Sequence, residues 1–144
     1  MATTTKPDLS VTTTDHLNVG RLRAAFDAFS RGDLDAVRDS MTPDAVWTNA
    51  GSSAVGGTFE GWDAISTMFG KLFVATDGTF TITLLSALAD DKHAVAVYDA
   101  TATIMGDSQT HRYVLVDDMT PDGRTRATHV LAYDQAAADA FMPR

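Results

Sequence analysis

Asp99, His111, His129 and Asn49 are the side chains of this sequence best equipped to move a proton or hold a reacting oxygen. A carboxylate beside an imidazole orients the ring and fixes its tautomer. An imidazole with an ordinary pKa near ~6.5 exchanges protons at neutral pH. An aspartate buried without a partner is pushed up in pKa and becomes a proton donor or base instead. Asp99 sits in mid-strand, where aspartate fits poorly, and an ill-fitting polar residue marks a functional position. Asn49 can hold a carbonyl or a water, while Trp47 and Tyr113 can line an aromatic-accommodating wall. Asp99, His111 and His129 also form a nominal His-His-carboxylate set, but no short ligand spacing supports it and no metal is expected. His16 and His93 read as surface residues, and Asp117-Asp118 as a solvated acidic edge near a turn.

Several chemistries are excluded by what the chain lacks. It has no cysteine, hence no disulfide, thiolate nucleophile or cysteine-ligated metal. The Gly/Ser-rich stretch AGSSAVGG lacks the lysine of a phosphate loop, and there is no GxSxG elbow. A formal charge of −8 argues against nucleic acid and against anionic membranes as partners. No cofactor is expected. The polar start MATTTKPDLSVTTT has no apolar run, so residues 1–14 are expected to form a loose arm and the protein to be cytoplasmic.

The elements that must carry these residues are legible from periodicity. One domain is expected over residues 15–144, a length that can bury a core unaided. Val19, Leu22, Phe26 and Phe29 share a helical stripe that Gly32 ends. Asp33 then caps a short second helix bearing Leu34, Val37 and Met41, which Pro43 closes. Ala45 to Asn49 reads as a short strand. Trp62 opens a third helix, with Ile65, Met68, Phe69, Leu72 and Phe73 on one face.

The second half changes period. Strands are predicted over 80–89, 93–103, 109–117 and 125–133, joined by turns at 90–92, 106–108 and 120–123. Short connections make an antiparallel meander, and helices followed by strands indicate an α+β fold. On the second of these strands Val95, Val97, Asp99, Thr101 and Thr103 form one face, and Ala94, Ala96, Tyr98, Ala100 and Ala102 the other. Both sets are half apolar, so alternation alone leaves the facing open.

The strings AAFDAFSRGDLDAV, PDAVWTN, FEGWDAISTMFGKLF and THVLAYDQAAADAF, in this order and spacing, resemble the SnoaL-like polyketide cyclase branch of the NTF2-like superfamily. The resemblance spans roughly residues 19–141. It implies a cone-shaped domain, a curved mostly antiparallel sheet packed on about three N-terminal helices, a deep pocket, and commonly a dimer through the sheet. It also turns Asp99 and Thr101 inward, with Gln109, His111, Tyr113 and Leu115 on the next strand and His129, Leu131 and Tyr133 on the last. A one-residue slip in the 120–124 turn would instead bring Thr128, Val130, Ala132 and Asp134 inward.

Two relatives test the resemblance residue by residue. The positions of the ketosteroid isomerase tyrosine, base and protonated aspartate fall on Ala25, Asn49 and Leu115 here. Of a limonene-epoxide-hydrolase-like set, Trp47, Asn49, Asp99, Thr101 and Leu131 are the matching positions, and only the asparagine is kept. Neither mechanism carries over.

The expected function is therefore cofactor-independent cyclisation or isomerisation of a polyketide-like natural-product intermediate. Asp99 and His111 would act as acid and base, with Asn49 and His129 in support. Trp47, Tyr113, Tyr133, Thr101, Leu115 and Leu131 would contact a small apolar or aromatic substrate. Two alternatives stand beside it: a non-catalytic ligand-binding or dimerisation domain, and a hydrolase in which Asn49 and an acid share a water.

Overall fold

The apolar stripes and turn residues lead to the elements they predict. A computed structural model describes residues 16–143; the arm expected over residues 1–14 lies outside the described residues. The first helix, α1 (Leu17–Ser30), buries Val19, Leu22 and Phe26. Its first turn is capped by His16, whose Nδ1 accepts from the Asn18 amide at 3.0 Å. Gly32 takes the positive φ that stops it. Asp33 then caps α2 (Leu34–Asp39), accepting from the Ala36 amide.

Strand β1 (Met41–Asn49) starts earlier than Ala45. Pro43 lies inside it, and the pairing skips from Met41 to Val46 around that residue, as an imino nitrogen with no proton requires. The end of the Gly/Ser stretch is not all loop. Gly57–Glu60 forms β2, paired antiparallel with β1. Helix α3 (Gly61–Ala75) follows and buries Ile65, Met68 and Phe69.

The meander comprises β3 (Thr81–Ala89), β4 (His93–Ile104), β5 (Asp107–Met119) and β6 (Thr125–Ala132). A fourth helix, α4 (Gln135–Phe141), closes the C-terminal side, capped by Asp134. The six strands run in the order β2-β1-β6-β5-β4-β3, antiparallel except for β1 beside β6. The fold is thus the α+β cone expected, with a curved sheet under helices. Buried residues fall into two clusters, and Trp47 packs against both. Among the described residues no helix is long and apolar enough to cross a membrane.

Two local features decide which side chains point inward. The β4–β5 turn consists of Met105 and Gly106 alone, both at positive φ (51° and 80°), the signature of a tight two-residue hairpin. An even-numbered loop pairs odd residues of β4 with even residues of β5, so Tyr98 lies opposite Tyr113 and Asp99 opposite Arg112. A three-residue turn over 106–108 would have put Asp99 on the face of Tyr113. The true turn places them on opposite faces, and Asp99 and Thr101 point outward.

The second feature is a bulge where β6 begins. Met119 pairs with Thr125, but Asp118 pairs with Ala127, so Arg126 is an extra residue. Past it Asp117 lies opposite Thr128, and Leu115 opposite Val130. His129, Leu131 and Tyr133 consequently face out. The one-residue alternative is adopted as far as Thr128 and Val130, which turn inward, whereas Asp134 is exposed and caps α4.

Candidate functional site

Between the inner face of the sheet and helices α1 and α3 lies a cavity of about 150 Å³. Seven aromatic side chains line it, among them Phe26, Phe69, Trp47, Tyr98 and Tyr113. Of β4 only Tyr98 reaches the lining; the inward Ala94, Ala96 and Ala100 are packed in the core cluster with Val19, Leu22 and Phe26 of α1.

Tyr98 and Tyr113, opposite each other on adjacent strands, stack at 5.6 Å with 17° between their rings. Phe26 of α1 meets Tyr98 edge-on at 5.2 Å. Burial pushes both phenols up in pKa. Neighbouring Tyr113 and Asp117 add to the effect on Tyr98, and Asp139 adds to that on Tyr113. Neither hydroxyl is held by a side-chain hydrogen bond among the described residues, leaving both as donors toward the cavity.

Asp117 is the unexpected member. It is only 7% exposed and lines the cavity, so it is no solvated acidic edge. Its Oδ1 accepts from the Thr128 hydroxyl at 2.5 Å and its Oδ2 from the Thr125 hydroxyl at 3.3 Å. The bulge at Arg126 is what puts these two threonines, three positions apart, on one face. Among the described residues no cation balances the carboxylate. Burial raises its pKa to about 7, helped by the charge of Asp118, although the two threonine bonds pull the other way. The alternation of Tyr113 and Leu115 pointed to this residue; the strand continues inward through Asp117 and Met119 before its turn.

The other predicted residues divide cleanly. Trp47, Asn49, Tyr113 and Leu115 line the cavity, as does Ala25. Asn49, however, has its amide committed: Oδ1 accepts from Trp47 Nε1 at 2.7 Å, and Nδ2 donates to the Val55 carbonyl at 2.8 Å. It ties the indole and the 50–56 loop to β1. Asp99 lies on the outer face, where Arg112 reaches its two oxygens at 2.9 and 3.2 Å. That guanidinium holds the Asp99 carboxyl below the usual range. Thr101 is also outside, bonded to Thr110 at 2.7 Å.

His111 is on the inner face of β5 but beyond the cavity. Its Nε2 meets Gln109 Oε1 at 2.7 Å, and its ring lies over Phe141 of α4. His129 is exposed, and Leu131 and Tyr133 are 50% and 65% exposed. The structure therefore does not bring Asp99, His111 and His129 together. Among the described residues no three metal-ligating side chains converge.

One rim of the cavity is a polar latch. Asp139 Oδ2 of α4 accepts from the Ser52 amide at 3.1 Å, and Gln135 Nε2 donates to the Ala50 carbonyl at 3.3 Å. Gly51 lies so close that a Cβ there would sit 2.2 Å from Asp139 Oδ1.

Comparison with known proteins fits this architecture. The profile of the SnoaL-like domain family matches residues 22–133. The uncharacterized protein Rv0034 of Mycobacterium tuberculosis is 32% identical over 129 residues, covering 89% of this chain and 98% of its own. Bal32a, from a soil-derived mobile gene cassette, superposes with a TM-score of 0.81 at 28% identity, covering 86% of this chain and 95% of its own. A candidate SnoaL-like polyketide cyclase from Jannaschia sp. CCS1 shares the fold at a TM-score of 0.70 and 16% identity, covering 84% and 88%.

Proposed function

We propose that this chain, which belongs to the SnoaL-like domain family of the NTF2-like superfamily, is a cofactor-independent acid–base enzyme that isomerises or cyclises a small, polyketide-like carbonyl compound. The observation that carries this reading is a buried carboxyl without a cation, Asp117, in an aromatic cavity that also receives two unengaged phenols. The Jannaschia protein's description supports the substrate class.

In this mechanism the Asp117 carboxylate removes a proton from a carbon next to the substrate carbonyl. The electrons move onto the carbonyl oxygen, where Tyr98 and Tyr113 hydroxyls donate hydrogen bonds to the enolate. In isomerisation Asp117 returns the proton to a different carbon. In ring closure the enolate carbon attacks a second carbonyl of the same molecule, and the new alkoxide takes the proton from Asp117. A carboxyl titrating near neutrality serves both directions of transfer. The aromatic walls contribute by holding the substrate in a reactive conformation.

The test is solvent deuterium uptake at the α-carbon of simple ketones of one to three rings, followed by NMR. Wild-type protein is expected to accelerate exchange and Asp117→Asn to lose it by about 100-fold or more. Ketones that bind without any accelerated exchange would refute the proposal.

One observation favours a second reading, a ligand-binding domain without catalysis. Both Asp117 oxygens are already occupied by threonine hydroxyls, as in a structural carboxyl. Hydrolysis through a positioned water has less support, because the Asn49 amide is engaged by Trp47 and Val55. Association of two copies through the outer sheet face is also proposed, on the strength of Leu88 and Leu131, 44% and 50% exposed. A monomeric mass in solution would remove it.

A further inference from the structure

The cavity constrains its ligand by size, charge and hydrogen bonding at once. A space of about 150 Å³ matches the engineered apolar cavities that accept benzene, of ~150 Å³. It holds one six-membered ring with a short substituent, and a fused multi-ring skeleton exceeds it. Face and edge contacts with Tyr98, Tyr113, Phe26 and Trp47 suit a flat ring.

Charge narrows the choice further. The ionisable side chains on the lining are aspartates and tyrosines, and among the described residues no lysine, arginine or histidine reaches it. An anionic ligand would be desolvated among aromatic rings, facing Asp117 and Asp139, with nothing to neutralise it. A cationic ligand would meet Asp117 and Asp139 as counter-charges, but an ammonium has no oxygen with which to accept from the two phenols. The unengaged donors are the two phenols, which call for an oxygen acceptor on the ligand.

Resting on the acid–base reading and sharpening it, we infer that the cavity is built for a neutral, single-ring carbonyl compound and turns away both carboxylates and multi-ring skeletons. Any polyketide-like substrate is then a monocyclic one, and ring closure in this pocket makes a first ring rather than adding to a fused set.

Trp47 lines the cavity and Trp62 does not, so indole fluorescence gives a local readout. The intact protein is titrated at pH 7 with acetophenone, benzoate and anthrone, which are a neutral single ring, its anionic counterpart and a three-ring ketone. Acetophenone is expected to give saturable quenching with a Kd at least about 100-fold below that of benzoate, as burial of an unpaired negative charge demands. Anthrone is expected to give none. Ala25→Leu places extra carbon in the same space from α1 and should abolish the acetophenone response while the thermal midpoint holds.

Benzoate within tenfold of acetophenone, or saturable anthrone binding, would overturn the inference. So would an unchanged acetophenone response in a folded Ala25→Leu protein. The outcomes separate from those of the function test. Selective binding with no deuterium exchange sinks the enzyme and keeps the selectivity, whereas exchange on anthrone or an anionic ketone does the reverse.

Discussion

Asp99 and Asp117 lie on neighbouring strands of one sheet, and the sheet's two faces give them opposite chemistry. On the outer face Asp99 meets Arg112 at 2.9 Å and stays a carboxylate with a lowered pKa. On the inner face Asp117 is buried and accepts from two threonine hydroxyls, and its pKa rises to about 7. The outer face continues as paired polar residues, Thr101 with Thr110 and Thr103 with Ser108. The inner face is alanine and aromatic, with no cation on the cavity wall. A carboxylate is poised for proton transfer when its counter-charge is withheld, and the pleat of one sheet is enough to withhold it.

The sharpest way to break this comparison is to remove each carboxylate in turn. Asp117→Asn should lower α-proton exchange by about 100-fold or more. Asp99→Asn, on the far side of the sheet, should leave the rate within about threefold, the small effect usual for surface changes away from the site. Equal losses in the two variants, measured on the same ketone, would erase the distinction between the faces.

Stability against pH should separate them next. Asp117 binds its proton more tightly in the native state than in the unfolded chain, where 3.8 is the ordinary value. Below pH 4 both states are protonated and the group contributes fully. Between about pH 4 and 7 the unfolded chain releases the proton first, so stability falls as pH rises, then levels off above 7. A move from 3.8 to about 7 corresponds to about 4 kcal/mol over that window. The groups around this carboxyl are Thr125 and Thr128 from β6, Tyr98 from β4 and Asp118 beside it, none of them cationic. Urea melts of the wild type at pH 5 and pH 8 should show this fall, and Asp117→Asn should flatten it. A slope that persists in the variant would assign it to other groups.

These two aspartates also mark where the sequence stopped being legible. The three N-terminal helices, the four meander strands and the cone followed from stripes such as Val19-Leu22-Phe26 and from turn residues such as Asp33 and Gly32. The facing of β4 did not follow. Its alternating sets carry Ala against Val and Thr, so no strong contrast tells inside from outside. The decision rested on one turn residue more or less: Met105-Gly106 as a two-residue hairpin sends Asp99 out and Tyr98 in. The bulge at Arg126 had a similar effect, exposing His129 and bringing Thr125 and Thr128 together at Asp117. A bulge has no compositional signature comparable to a helix stripe. Trp47, Asn49, Tyr113 and Leu115 are placed by the family resemblance, and they line the cavity because β1 from Val46 onward and β5 before Met119 keep an unbroken register.

A smaller effect is expected at the rim, where inner face and solvent meet. Gly51 has φ 98°, and a Cβ there would collide with Asp139 Oδ1. Gly51→Ala should cost about 1–3 kcal/mol in stability, in the range of other strained backbone positions. It should also loosen the Ser52–Asp139 contact and weaken acetophenone binding severalfold. Asp139→Asn, which keeps an acceptor for the Ser52 amide, should retain most of the affinity. Calorimetric titration of both variants would test whether the latch supports the cavity or merely borders it.

The smallest effect belongs to the ion pair with which the comparison began. Arg112 and Asp99 meet in good geometry, yet their side chains remain 47% and 25% exposed. Water and salt screen such a pair, and ordering two side chains offsets much of its Coulomb gain. Arg112→Ala should therefore lower the thermal midpoint only slightly at low salt, and the difference should vanish in about 1 M NaCl, where the Debye length is ~3 Å. The same variant leaves Asp99 without its cation, but exposed rather than buried. Its pKa should relax upward only to the ordinary carboxylate range near 3.8, far from neutrality. Carboxyl titration by NMR in this variant is the control for Asp117. If losing a cation alone moved Asp99 toward 7, the missing counter-charge would be the cause at both sites. If Asp99 stops near its ordinary value, burial must supply the rest, and burial is what only the cavity side of the sheet provides.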